Sequence, residues 1–456
     1  MRIKEMKNTK DSGFSFIIWG VLLVALLMRF LLPVLALSIT QDLEMFNRGD
    51  TLSFIIPAKK LIEFGQFLNI DNQPELFRTP GYPLLLIPGL LVGHVENVTI
   101  FIQIMLDCLT VYLMYKIALL LFERDEIAIV CALLYAIEPL PILRSAFLMS
   151  ETLHTTLLTL FLKLLLEYFK NKSGKHLALA AMTLAASIYV RPIGYYLPFL
   201  IIGILLVWNF KNMQDRKILI IHTCIFLVVA MGSIGIWQTR NYVKAGYSGF
   251  AAVSDYNLYC YNGAALIADQ KRIEFEDSHE QLGCTKHEKY FMLHPEQRQW
   301  SQAQIYRYMG KEGKKMILSQ PLTYSIIHLK GMFATLVQTP ANRYVPLFVG
   351  RFDRSLTPSY QNLDRYSYII FWTNLSLSLL SGVYLLGAAT ALLSKRFLNN
   401  LSMITLVSVA VYFLTVSGGI VGSHRFRLAI MPIICLLAGY GLWLIVDKIK
   451  PKNIHD

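Results

Sequence analysis

Ten apolar runs dominate this sequence, at about 14–38, 98–122, 126–140, 150–169, 176–191, 193–210, 218–238, 367–393, 399–416 and 428–447. A bilayer core is about 30 Å thick, and a helix crosses it with roughly 20 apolar residues. In lipid every backbone group must be bonded within the protein, so such runs are expected as helices. The chain is 55% apolar and 16% charged, short of the roughly 25% charge of soluble domains. A net charge of +13 could suggest nucleic acid, but the basic residues sit at the ends of the apolar runs and not on one soluble unit. That is the membrane pattern, and it excludes nucleic-acid binding.

The first run follows Arg2, Lys4, Lys7 and Lys10. It outlasts the apolar core of about 7–15 residues that marks a secretory signal, so it is expected as an uncleaved first helix. Arg29 lies inside it. Snorkelling to the interface is the favoured reading, and contact with an anionic ligand is the sharper one. Cys108, Cys131, Cys224 and Cys435 fall in apolar runs as small hydrophobes. Cys260 and Cys284 lie in the long polar segment and could pair if it faces an oxidising compartment. No Cys/His metal spacing occurs, and His279, His287 and His294 read as solvated surface.

Residues 84–92 are apolar but too short to cross, since a helix rises only about 1.5 Å per residue. With 84–92 as an interfacial or re-entrant helix there are ten spans. The inner ends then carry Arg124; Lys170, Lys172 and Lys175; Lys211, Arg216 and Lys217; Lys395 and Arg396; and Lys448, Lys450 and Lys452. An eleventh span would turn these clusters outward, against the positive-inside rule. Both termini are therefore expected in the cytoplasm of a multi-pass cell (inner) membrane protein. Segments 39–83 and 239–366 then face outward, with an N-terminal transmembrane module over 1–238, an extracytoplasmic domain over 239–366 and C-terminal helices over 367–456.

This topology leaves Arg78, Arg144, Arg191, Arg240, Arg425 and Arg427 at the outer face, where basic residues are unexpected. Each alone fits an interface anchor or a structural ion pair. Together, in a charge-poor protein, they point to an anionic group such as phosphate. Glu138 and Arg144 are placed to pair across their turn.

In the first outward loop, Asp50 precedes an apolar-patterned stretch that ends at Gly65. An N-cap aspartate and a C-terminal glycine fit that pattern. Pro57 is expected to kink the stretch, and its apolar face with Lys59 and Lys60 suits an interface. The loop closes on Arg78-Thr79-Pro80-Gly81-Tyr82-Pro83, a rigid turn.

Asp50, Ala58, Gly65 and the Arg78–Pro83 turn resemble the first outward loop of the GT-C membrane glycosyltransferases. The family 39-like group, with its protein mannosyltransferases and lipid A aminoarabinose transferases, is the nearest. Phe54 stands where that pattern has Tyr. Ser150-Glu151, Arg191-Pro192, Arg240-Asn241-Tyr242 and His424-Arg425-Phe426-Arg427 with Pro432 resemble later motifs in the same order. His424 and Phe426 replace the usual Glu and Tyr. Asp255-Tyr256-Asn257-Leu258 resembles the start of the outward region, while most of 239–366, including Arg343-Tyr344-Val345-Pro346, departs from the family.

The resemblance implies an all-α GT-C bundle that moves a hexosyl or pentosyl group from an undecaprenyl- or dolichyl-phosphate carrier to a lipid, glycan or protein acceptor outside the cytoplasm. Such a reaction passes through an oxocarbenium-like state. A phosphate leaves without protonation, so one carboxylate base and several cations suffice. By resemblance Asp50 is the base, and Glu151 orients the acceptor or holds Asp50 and a cation; helix N-terminal electrostatics accounts for Glu151 equally well. Arg78, Arg191, Arg240, Arg425 and Arg427 are the candidate phosphate-binding set, Arg425 foremost, and Tyr82, Tyr242 and His424 the candidate substrate contacts. Two carboxylates could hold a divalent ion, but nothing in the sequence requires one. The rival reading, a flippase or transporter of lipid-linked sugar, predicts internal repeats; none is convincing, and it leaves Asp50 unexplained.

Overall fold

The computed structural model describes residues 2–211, 216–349, 367–398 and 400–449. Ten of its helices coincide with the ten apolar runs. They are α1 (Arg2–Thr40), α4 (Val95–Phe122), α5 (Asp125–Ile137), α7 (Glu151–Asn171), α8 (Gly174–Val190), α9 (Leu197–Lys211), α10 (Arg216–Ala245), α18 (Ser367–Leu392), α20 (Leu401–Val416) and α22 (Met431–Ile449). Among the described residues six spans are long and apolar enough to cross a bilayer, and a seventh counts if the bent pair α5 and α6 (Pro139–Ala146) is one span. α8 and α20, at 17 and 16 residues, fall short of the roughly 20 that a perpendicular span takes. α7 is long enough at 21 residues but carries buried Thr152, Thr155, Thr156 and Thr159. The Thr156 and Thr159 hydroxyls bond to carbonyls one turn back, and Thr156 also meets Thr110 of α4, which suits a helix at the centre of a bundle. Leu23 and Leu27 on α1, Val228 and Ile236 on α10 and Leu379 and Leu386 on α18 are exposed. Apolar side chains in such rows face lipid. The chain is a multi-pass membrane protein.

Arg29 neither snorkels nor reaches a ligand site. It is 0% exposed and donates to Asp107 Oδ2 at 2.6 Å, which also binds the Tyr135 hydroxyl through Oδ1 at 2.7 Å. Its other hydrogens reach the carbonyls of Ala136 and Tyr135, at 2.8 and 3.4 Å. Those carbonyls end α5 where Pro139 removes a backbone donor and the chain bends by 50° into α6. Arg29 therefore caps a broken helix, and a buried ion pair fixes three helices around the break.

The short apolar stretch forms α3 (Gly81–Leu91), whose 11 residues rise about 16 Å at 1.5 Å each. Gly81 lets it cross against the end of α8, since a Cβ at 81 would lie 2.6 Å from the backbone of Tyr189. Tyr82 turns inward, packs edge-on against Phe54 of α2 (Thr51–Phe64) with centroids 4.9 Å apart, and donates to Gln103 at 3.0 Å. α2 ends at Gly65 in the left-handed region, φ +65°, as its sequence predicts.

α10 continues to Ala245, so Arg240, Asn241 and Tyr242 lie in its last turns and not after it. Next come α11 (Val253–Tyr256), a π-helical stretch (Asn257–Gly263), α12 (Ala264–Lys271), α13 (Phe275–Gln281), α14 (His287–Leu293), α15 (Gln302–Ser319), α16 (Pro321–Val337) and α17 (Ala341–Val349). Cys260 and Cys284 form a disulfide that ties the π-helical stretch to the segment after α13. α19 (Lys395–Leu398) and α21 (His424–Arg427) complete the chain. Val345 and Pro346 of the Arg343–Pro346 motif, and the inner-end side chains of Lys211, Arg396, Lys450 and Lys452, lie outside the described side chains.

Candidate active site

Asp50 precedes α2, yet its side chain makes no capping bond. It turns instead to two arginines. Oδ1 accepts from Arg78 at 2.7 Å and Oδ2 from Arg425 at 2.9 Å. Glu151, the first residue of α7, pairs through Oε1 with Arg191 at 2.8 Å and with Arg425. Arg425 thus bridges the two carboxylates, and Arg78 and Arg191 close the row at either end. Glu151 is 3% exposed and Asp50 33%; one carboxylate is sealed and the other faces the opening.

Local packing holds each member. Arg78 lies over Phe54 and Phe77, at 4.5 and 4.9 Å, and donates to Ser53 Oγ at 2.9 Å. The backbone N–H groups of Phe77 and Arg78 both donate to buried Glu75, which fixes the turn ahead of Pro80. Phe54, which replaces the family's Tyr, therefore stacks on the guanidinium. Arg191 lies 5.7 Å over Phe426. Glu151, His154, Arg191, Arg425 and Phe426 line a small cavity beside the row. Burial raises the Asp50 carboxyl, but Arg425 and Arg78 outweigh it and hold the group below its ordinary value. Asp50 is a carboxylate in this arrangement.

The remaining candidates sit elsewhere. Arg240 donates to the carbonyls of Glu75 and Phe67, at 2.7 and 2.6 Å, and so pins the base of the first loop without reaching the carboxylates. Arg427 donates to the Leu336 carbonyl. Tyr82 is buried under Phe54, and Tyr242 is 64% exposed on α10. His424 Nε2 is 3.2 Å from Arg144 Nη2. The expected Glu138–Arg144 pair does not form, because Arg144 turns to His424. Asp255 binds the Tyr247 hydroxyl at 2.7 Å. Ser53, Glu75 and His154 were not legible as site residues; only the position of His154, three after Glu151 on one helix face, was a signal.

A divalent ion takes several oxygen ligands. Here three of the four carboxylate oxygens accept from arginines, and Glu151 Oε2 has no bonded partner. Among the described residues one metal-like group of three occurs, Cys260, His279 and Cys284, and its two sulfurs are joined to each other.

Residues 78–237 match the family model described as dolichyl-phosphate-mannose-protein mannosyltransferase. The match includes Arg78, Glu151 and Arg191 but neither Asp50 nor Arg425. The archaeal oligosaccharyltransferase AglB from Archaeoglobus fulgidus, solved with an inhibitory peptide and a dolichol-phosphate, superposes with a TM-score of 0.54 over 96% of this chain at 14% identity. Its apo form gives the same figures. The chain shares its fold with this archaeal oligosaccharyltransferase. ArnT from Cupriavidus metallidurans, solved with undecaprenyl phosphate, is 15% identical over 94% of this chain and 78% of its own, with a TM-score of 0.39. No curated protein matches by sequence. The chain spans 51% of the oligosaccharyltransferase's length, and at such identity the likeness is one of fold.

Proposed function

We propose that this protein is a glycosyltransferase that moves a sugar from a polyprenyl-phosphate carrier to an acceptor at the outer face of the membrane. The observation that carries the reading is the row Arg78–Asp50–Arg425–Glu151–Arg191, two carboxylates and three arginines brought together from four distant segments.

The carrier phosphate binds to Arg78, Arg191 and Arg425. The acceptor oxygen forms its bond to the sugar C1 as the C1–O bond to phosphate breaks, and polyprenyl phosphate leaves with the electron pair. The arginines stabilise that charge without proton transfer. Asp50 takes the acceptor proton. A carboxylate held low by two arginines is a poor base, but a phosphate that draws on the same arginines raises its proton affinity. Glu151 positions Arg425. Arg240, Arg427, Tyr82 and Tyr242 support the surrounding structure in this reading, and His424 lies beside the row.

Both termini are cytoplasmic and the row faces outward. The charge pattern supports this, and so does the Cys260–Cys284 disulfide, since such bonds persist in oxidising compartments. A cysteine introduced at His94 should react with a membrane-impermeant maleimide added outside intact cells; labelling from the cytoplasmic side alone would overturn the topology. For the reaction, Asp50→Asn in reconstituted membranes should abolish sugar release from a panel of radiolabelled undecaprenyl-phosphate sugars and retain undecaprenyl-phosphate binding. Unchanged turnover would remove Asp50 as the base.

A further inference from the structure

Beside the row lies a second group of cations. The segment before Asp50, the turn around α6 and the start of α17 meet on a small apolar core that holds Phe46, Leu143, Phe147 and Leu347. Leu148 N–H donates to the Phe46 carbonyl at 3.1 Å, and Thr51 Oγ1 donates to the Leu148 carbonyl at 3.0 Å. On α17 the Tyr344 hydroxyl donates to the Pro139 carbonyl. This packing places Arg48, Arg144 and Arg343 within electrostatic reach of one another. Arg48 lies 3.7 Å over the Phe147 ring. Arg144 is 6% exposed and touches His424, the neighbour of Arg425. Arg343 stands at the exposed rim.

The charge here is not balanced by the row. Glu151 attracts Arg144 from beyond bonding distance, but its bonded oxygen belongs to Arg191 and Arg425. Among the described residues no carboxylate pairs with Arg144 or Arg343, and Arg144 Nε is buried without a hydrogen-bond partner. A buried guanidinium that shares its counter-charge with two other arginines is costly. Burial, with Arg343 and Arg144 nearby, pushes the Arg48 guanidinium down to about 9. These residues form a forked, partly desolvated cation set that ends one residue from Arg425.

We propose that Arg144 and Arg343, with Arg48 at their side, form a second oxyanion site, which takes a phosphate or carboxylate group carried by the acceptor. It rests on the reading that Arg78, Arg191 and Arg425 hold the carrier phosphate. Guanidinium forks suit both oxyanions, and an anion held here sits next to the row, with the exposed Arg343 on its solvent side. The acceptor is accordingly an anionic lipid or glycan.

The test uses the full chain in phosphatidylcholine nanodiscs saturated with undecaprenyl phosphate and titrated with radiolabelled glycerol phosphate at constant ionic strength. The wild type should bind glycerol phosphate saturably with the carrier lipid in place. Arg343→Ala should weaken that binding at least tenfold and leave undecaprenyl-phosphate affinity unchanged, while Arg343→Lys should restore part of it. Arg343 is at the rim, so its loss spares the fold; Arg144→Gln, checked by thermal stability, should act in the same direction. Competition between the two ligands would make this the carrier's own phosphate site and overturn the proposal. Glycerol-phosphate binding unaffected by Arg343→Ala would overturn it as well. Arg78→Ala separates the two readings: unchanged undecaprenyl-phosphate affinity in that variant counts against the carrier site, whereas the glycerol-phosphate isotherm reports on the second one.

Discussion

Glu151→Gln is the most informative single change, because it keeps the shape of the side chain and removes its charge from beneath two arginines. The carboxylate is nearly sealed and accepts from both Arg191 and Arg425 through one oxygen. Charge-assisted hydrogen bonds contribute about 1.5–3 kcal/mol each. The amide oxygen retains part of both, but the amide nitrogen then faces cations, and one buried negative charge is lost. A net cost of about 3 kcal/mol follows, within the range for breaking a buried pair, or roughly a hundredfold in the folded-to-unfolded ratio. Asp50→Asn, at the opening and better solvated, should cost about 1 kcal/mol. The assay is a denaturation series on both variants in one detergent, read by tryptophan fluorescence, alongside sugar release. Glu151→Gln should lose stability and turnover together, and Asp50→Asn turnover with little stability. If Glu151→Gln is as stable as the wild type, the bridged row is not what organises this end of the bundle.

The pH dependence follows from the depressed Asp50 carboxyl. Its paired charge contributes stability above the ordinary carboxylate value and loses it only as pH falls through the lower folded value, so acid-limb loss of kcat/KM should fall below about pH 4. The kcat limb should lie higher, because bound phosphate draws on the same arginines; coincident limbs would refute the coupling. Gly81→Ala places a methyl group against the Tyr189 backbone, so it should lower stability by about 1–3 kcal/mol and move Arg78, with a loss of carrier affinity measurable in nanodiscs. Mass spectrometry of protein alkylated before and after reduction should find Cys260 and Cys284 protected until reduced. Cys260→Ser should cost about 2–4 kcal/mol.

The ten apolar helices were legible because apolar length is a local property, although only six of them, or seven with the bent pair, are long and apolar enough to cross a bilayer among the described residues. The short α3 was legible too, since nine apolar residues cannot span. The row was legible in part. Asp50, Arg78, Glu151, Arg191 and Arg425 could be placed on one face by topology alone, and they do meet. Arg240 and Arg427 share that face, yet their guanidinium groups bond to backbone carbonyls, which no sequence pattern marks. Arg29 was misread because its partners, Asp107 and the carbonyls freed by Pro139, lie on other helices. The role of Asp50 as a helix cap was likewise displaced by partners distant in sequence, whose charges outweigh one backbone N–H.

The bridging arginine also orders the birth of the protein. Asp50 and Glu151 enter the membrane early in synthesis, whereas Arg425 is 274 residues beyond Glu151 and arrives with the last helices. Domains form from the N-terminal side first as the chain emerges, so a partly made chain holds its carboxylates with one arginine each. Chain ends that stop short of α21 would leave the two acids unjoined. The final helices thus serve as a completion signal: the two carboxylates are bridged only in a molecule that has been made as far as α21.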